Sequence, residues 1–143
     1  MSMSGTADDW RQQSTLSSLE IQRPARGVVV LVVTGTDIGE HGEGPFAELA
    51  RDVAEGPFEL FVDARESRGV ALDVSGSWAR WLAARRDALV RVNMLTGSRF
   101  VELTANFVRD FTELGERMRV YTDAAAFESA LASATARGRL HGL

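Results

Sequence analysis

In the stretch LDVSGSWARWL, Leu72 to Leu82, a Ser-Gly pair stands where a helix is expected to begin, and Asp73 lies two residues before Ser75. A hydroxyl in that position can do two kinds of work. It can accept a phosphate, whose charge of about −2 would meet unpaired backbone N–H groups and the positive end of the helix dipole. Alternatively Ser75, or Ser77 two residues on, can act as an N-cap and satisfy one of those N–H groups itself. The cap is the simpler reading, and the spacing leaves both open.

Three other constellations carry candidate chemistry. The loop TDIGEHGEG, Thr36 to Gly44, gathers Asp37, Glu40, His41 and Glu43, oxygen ligands and an imidazole that could hold a divalent cation. Its spacing matches no known metal motif, and Gly-rich acidic loops are common because they turn and stay hydrated. Its three carboxylates also make it a poor phosphate cradle. Asp63, Arg65 and Glu66 follow the carboxyl end of a strand, where open α/β sheets place ligands; the carboxylates could serve as acid and base, although an Asp63–Arg65 ion pair explains them with less. Trp78 and Trp81 with Arg80 and Arg85 could form a stacking surface, whereas tryptophans three apart on a helix more often pack on the sheet below. Phe100, Phe107 and Phe111 likewise read as core, or with Trp81 as the lining of an apolar ligand pocket.

Composition narrows the chemistry. All 16 basic residues are Arg, so the chain has no lysine for a P-loop, a Schiff base or a pyridoxal cofactor. Cysteine is absent, which removes disulfides, thiolate metal sites and a cysteine nucleophile. His41 and His141 are the only imidazoles, and His141 sits near the end of the chain. A net charge of −4 argues against nucleic acid or an anionic membrane as partner. The apolar run Val28 to Val33 is too short to cross a bilayer, and the amino terminus carries no basic-then-apolar signal, which points to a cytoplasmic protein. No cofactor is expected.

These residues have to be held by the elements around them. The 143 residues fit one domain over 10–136, with 1–9 expected to be disordered and 137–143 a flexible tail. Ser14 to Gln22 and Val28 to Thr34 predict a hairpin across the turn RPARG, the second strand being β-branched and apolar on both faces. Pro45 opens a helix through Phe46, Leu49 and Val53, and Phe58 to Asp63 forms a strand. A helix from Ser75 or Ser77 to about Ala88 places Trp78, Trp81 and Leu82 on one side and Arg80 and Arg86 off it. Val90 to Met94 alternates as a strand. Ser98 caps a helix whose apolar residues include Phe100, Leu103, Phe107, Val108, Phe111 and Leu114. Met118 to Thr122 is a short strand, and Asp123 caps a last helix. The order is β-β-α-β-α-β-α-β-α: an α/β domain with a mixed sheet that begins as an antiparallel hairpin.

This order, with the strings FELFVDAR, LDVSGSWARWLAARR, VRVNML and MRVYTDAAAFESAL, resembles the STAS domain, the anti-sigma-factor-antagonist scaffold, over roughly Leu16 to Ala132. In the antagonists a serine of an Asp-Ser-Ser-Gly motif at a helix start is phosphorylated by a partner kinase, and here Asp73, Ser75 and Gly76 match that motif. Val74 replaces its first serine, Ser77 stands where an aliphatic residue is usual, and Trp78 where a small one is usual. The closer resemblance is to the uncharacterised bacterial STAS/SEC14-like branch.

What the resemblance implies is a non-enzymatic protein-interaction module in bacterial regulation or signalling, binding another protein or itself. Asp73, Ser77, Arg80 and Arg86 would form the partner-binding surface and Ser75 the phosphorylation site. A small-ligand or lipid-binding protein, with its pocket at Trp81, Phe100, Phe107 and Phe111, is a second reading. An enzyme using Asp63 and Glu66 is a third.

Overall fold

Val28 to Leu31 are buried in succession, as a strand covered on both faces requires, and the rest of the sheet is assembled around them. The computed structural model describes residues 9–141. Within them β2 (Ser17–Ala25) runs antiparallel to both of its neighbours, β1 (Trp10–Gln13) and β3 (Val28–Asp37); β4 (Phe58–Val70), β5 (Leu89–Thr96) and β6 (Met118–Tyr121) follow parallel to β3, in the spatial order β1-β2-β3-β4-β5-β6. The helices are α1 (Gly44–Glu55), α2 (Leu72–Ala84), α3 (Arg99–Thr112) and α4 (Ala124–His141). The mixed α/β sheet with its initial hairpin is the expected one, with one further strand at the edge.

That added strand, β1, is WRQQ, polar apart from Trp10, and its place is decided by its partner: Trp10 lies opposite Ile21 and Gln12 opposite Leu19. β4 also runs seven residues beyond the expected Asp63, because its polar second half continues to pair with β3 as far as Val70. α2 ends at Ala84, and a 3₁₀ turn, Arg86–Ala88, leads into β5. The tail expected over 137–143 is helical as far as His141, and Gly138 packs against the β2–β3 turn near Ala25 and Arg26. All but Asp9 of the segment 1–9 lies outside the described residues.

Alternation along the strands divides the core. Val29 and Leu31 face one side with Leu60, Val92, Leu49 of α1, Ala79, Trp81 and Leu82 of α2, and Ala105 and Val108 of α3. Val28 and Val30 face the other with Phe61, Leu95, and Phe127 and Ala134 of α4. One face thus carries three helices and the other carries one. Arg23 of β2 clamps Asp52 of α1 through paired hydrogen bonds of 2.9 and 2.8 Å, so the buried carboxylate is neutralised where α1 crosses the hairpin. No helix among the described residues is long and apolar enough to cross a membrane.

Candidate functional site

α2 starts one turn earlier than the cap rule predicts, which relocates its serines. Ala71 takes the N-cap position in an extended conformation, φ −63° and ψ 150°, with its N–H donated to the Asp37 carbonyl at 2.8 Å. That backbone bond fixes the chain as it leaves β4, and the helix begins with no side-chain cap. Ser75 is therefore inside the first turn and only 5% exposed. Its hydroxyl donates to the Leu72 carbonyl at 2.9 Å and its N–H to the Ala71 carbonyl at 3.0 Å. Ser77 donates to the Asp73 carbonyl at 3.0 Å and accepts from Arg80 at 3.3 Å. Neither serine is the cap, and both bond back onto their own helix.

Asp73, Ser77 and Arg80 lie at i, i+4 and i+7, on one face of α2. Arg86 does not join them. It sits beyond the far end of the helix, where it donates to the Thr112 carbonyl at 3.0 Å and approaches Glu113 at 3.9 Å. It thus ties the carboxyl ends of α2 and α3 together. The first turn of α2 instead meets the loop before α1: Asp73, Ser77 and Trp78 line a groove of about 220 Å³ with Asp37, His41 and Glu43.

Inside that loop a cluster has formed that depends on β2. Glu40 accepts from Ser17 at 2.5 Å, from Ser14 at 2.9 Å and from the Ile38 N–H at 2.9 Å. The Ser17 hydrogen bond is the main reason its carboxyl is pulled from 4.5 to about 2. The buried His41 places Nε2 at 2.7 Å from the same Ser17 hydroxyl. Asp37, Glu40 and His41 each bring one ligand atom to within 4.8 Å of the others, while Glu43 is exposed in the groove. A serine touching an imidazole and a carboxylate suggests nucleophilic chemistry, but the order is wrong for it. Glu40 bonds to the serine rather than to the far nitrogen of the imidazole, and Ser17 is buried. The cluster closes the loop onto the start of β2. Sequence reasoning missed Ser17 because it lies 24 residues from His41 with no local signal to join them.

Asp63 accepts from Arg65 Nε at 3.0 Å, and Arg65 reaches Glu128 of α4 at 2.9 Å, which raises the guanidinium pKa. The strand-end acid is thus part of a three-residue bridge between β4 and α4, and Glu66 is exposed beside it.

The aromatic side chains separate into two groups. Trp78 and Trp81 pack with Phe46 of α1, at centroid distances of 4.6 Å for Phe46–Trp78 and 6.0 Å for Phe46–Trp81, and Arg85 lies 4.7 Å over the Trp81 ring. Leu103, Phe107 and Phe111 point away from the sheet, Phe100 reaches over Gly69 near the end of β4, and Phe100, Leu103, Phe107 and Phe111 are 57, 55, 47 and 49% exposed. The expected pocket of Trp81, Phe100, Phe107 and Phe111 is therefore not formed: one is core and three are surface. The physical reason is that α3 approaches the sheet with its smaller residues Val101, Ala105, Val108 and Thr112. An apolar cavity of about 110 Å³ does lie beneath α2 and α3, lined among others by Val62, Ser75, Trp78, Met94, Thr104 and Val108.

No family model and no curated protein matches the chain. Among solved structures it is similar to an uncharacterized protein of the DUF3478 family with a SpoIIAA-like fold from Shewanella loihica PV-4, at a TM-score of 0.57 and 16% identity over 84% of this chain and 98% of that one. An anti-sigma factor antagonist from Mycobacterium paratuberculosis aligns at a TM-score of 0.54 and 15% identity, over 90% and 98%. The anti-sigma factor antagonist SpoIIAA in its unphosphorylated form aligns at 0.51 and 17%, over 78% and 95%. At such identities the likeness is one of fold. The hairpin-led mixed sheet with its alternating helices is the SpoIIAA-like, STAS-type fold.

Proposed function

We propose that this chain is a non-enzymatic protein-interaction module of a regulatory or signalling system in the cytoplasm, binding its partner through the joined outer faces of α2 and α3. The observation that carries the reading is the α3 stripe. Four large apolar side chains stand half out of the surface, next to a helix that presents Asp73, Ser77 and Arg80 outward. Exposed apolar residues beside charged ones have the make-up of an interface core and its rim. The anti-sigma factor antagonists of the same fold lend support, since their name describes an action on another protein. The commitment of Asp63 to Arg65, and of Ser17 to Glu40 and His41, speaks for structure rather than catalysis at both carboxylate sites.

The test is to recover the chain with its bound proteins from its own cells, native and as Arg80→Glu. Loss of a bound protein from a variant that still melts at the native temperature supports the reading; an unchanged set removes the α2 surface from it. The apolar cavity favours a second reading, a small-ligand carrier, although about 110 Å³ is well below the roughly 300 Å³ at which ligand sites begin. A small molecule retained in native mass spectrometry would revive it.

A further inference from the structure

We infer that the apolar cavity beneath α2 and α3 is a binding site for an uncharged hydrocarbon group of about six carbon atoms, which enters past Phe100. This rests on the small-ligand reading and names the ligand's chemistry, its size and its way in.

The cavity follows from where the small residues fall. α3 brings Val101, Thr104 and Val108 to its wall, while Phe107 and Phe111 point away from the sheet. Facing them, the second half of β4 offers Ala64, Ser67 and Gly69. Helix and strand therefore meet through short side chains, which leave space between them. At about 110 Å³ that space is somewhat smaller than an engineered apolar cavity of roughly 150 Å³ that stays dry and binds benzene. A drug-sized molecule is excluded, whereas one ring or the end of one chain fits and gains dispersion contacts on every side.

The chemistry of the wall decides the rest. Ser75 donates to the Leu72 carbonyl at 2.9 Å, Thr104 to the Phe100 carbonyl at 3.2 Å, and Thr34 pairs with Ser18 at 2.6 Å. A polar group carried among these residues would lie without a partner and be costly to bury. Asp37 on the same wall opposes an anion. Ser67 alone of the wall's hydroxyls makes no hydrogen bond among the described residues, and it is half-buried, so it can meet a neutral polar end at the rim. Phe100 marks the entrance. A Cβ on Gly69, part of the wall, would touch the Phe100 ring at 3.5 Å, yet that side chain is more than half exposed. The ring thus stands between the cavity and solvent, and an exposed side chain of this kind changes rotamer readily.

The experiment is titration of the full chain with benzene and, separately, with hexan-1-ol, read by melting temperature and by amide chemical shifts. A saturable rise in melting temperature, with shifts centred on Ser75, Val101 and Val108, is expected from at least one probe. Benzene acting alone identifies a ring compound as the source, and hexan-1-ol acting alone the end of a chain. Val108→Phe fills the space and should weaken uptake about tenfold or more; Ser67→Leu, at a half-buried position, should do the same and keeps the test open if Val108→Phe does not fold. Phe100→Ala should hold affinity within about threefold of native while release becomes several-fold faster, and unchanged rates would overturn the entrance. Neither probe acting up to its solubility, or equal uptake by the native chain and a folded, filled variant, overturns the site. A cellular molecule retained in native mass spectrometry by a chain that ignores both probes would leave the carrier reading standing and place its ligand outside this cavity.

Discussion

The Ser75 hydroxyl is occupied by its own helix, donating to Leu72 beside an apolar cavity. Ser75→Ala removes one hydrogen bond in which the acceptor is a first-turn carbonyl, and a loss of about 1 kcal/mol is expected. Ser75→Asp places a carboxylate in the same buried spot with no cation among the cavity residues. A loss of about 3 kcal/mol or more, with faster amide exchange over Leu72 to Trp78, is expected. Denaturant midpoints of both variants check this, and an Asp variant as stable as Ala would mean that the start of α2 opens to water. A phosphate on Ser75 has to act by lifting this turn rather than by adding charge to a finished surface. Glu40 supplies a second residue-scale test. Its folded carboxyl titrates at about 2 against an ordinary 4.5, mainly through Ser17, so it adds stability above about pH 4.5 that is lost as pH falls through about 2. Glu40→Gln should be less stable than native at pH 6, and the difference should shrink as urea midpoints are followed down through that window. A constant difference would show that Glu40 is not tied to Ser17 in solution.

At the scale of elements, Gly138 tests how α4 ends. Gly→Ala inside a helix ordinarily stabilises by about 1 kcal/mol. Here a Cβ would come within 2.6 Å of the Arg26 carbonyl and 2.9 Å of the Ala25 Cβ. Gly138→Ala should therefore lower the melting temperature, whereas a frayed end would let it rise. The same docking explains why this segment read as a tail: GRLHGL has no apolar periodicity, and what holds the helix is a glycine allowing close approach. The central strands and the four helices were legible because their apolar residues repeat at two or at 3.6. β1 was not, since Arg11, Gln12 and Gln13 gain their conformation from pairing with β2. The cap rule puts the start of α2 a turn too late, because the chain enters the helix at Ala71, held by its N–H to the Asp37 carbonyl, with no side-chain cap at all. α3 has apolar residues on both sides, and size was misleading there: Val101 and Ala105 face the sheet and the phenylalanines face out. Of the proposed surface, Asp73, Ser77 and Arg80 were legible from helical spacing. The Ser17–Glu40–His41 cluster was not, because only the fold brings β2 to that loop.

For the molecule as a whole, the two faces of the sheet are unequally held. Leu49, Trp81, Leu82, Ala105 and Val108, from three helices, anchor one side, whereas Phe127 and Ala134 are the buried apolar residues of α4 on the other. Phe127 is the keystone of that smaller core, lying edge-on to both Phe61 and Tyr121 at centroid distances of 5.8 Å. Nearby, Asn93 donates to Glu59 at 2.9 Å and accepts from Tyr121 at 3.3 Å, and Arg137 approaches Glu59 at 3.7 Å, so polar groups also depend on α4 to shield them from water. Truncation of a buried phenylalanine costs about 3–5 kcal/mol, which is large beside the 5–15 kcal/mol that holds a typical domain together. Because so few other contacts hold α4, Phe127→Ala should release that helix before the rest. Hydrogen exchange is expected to show the amides of α4 losing protection in the variant while those of β3, β4 and α2 keep it. Uniform loss across the chain would mean that both faces fold as a single cooperative unit. Local release would also leave the α2–α3 surface intact.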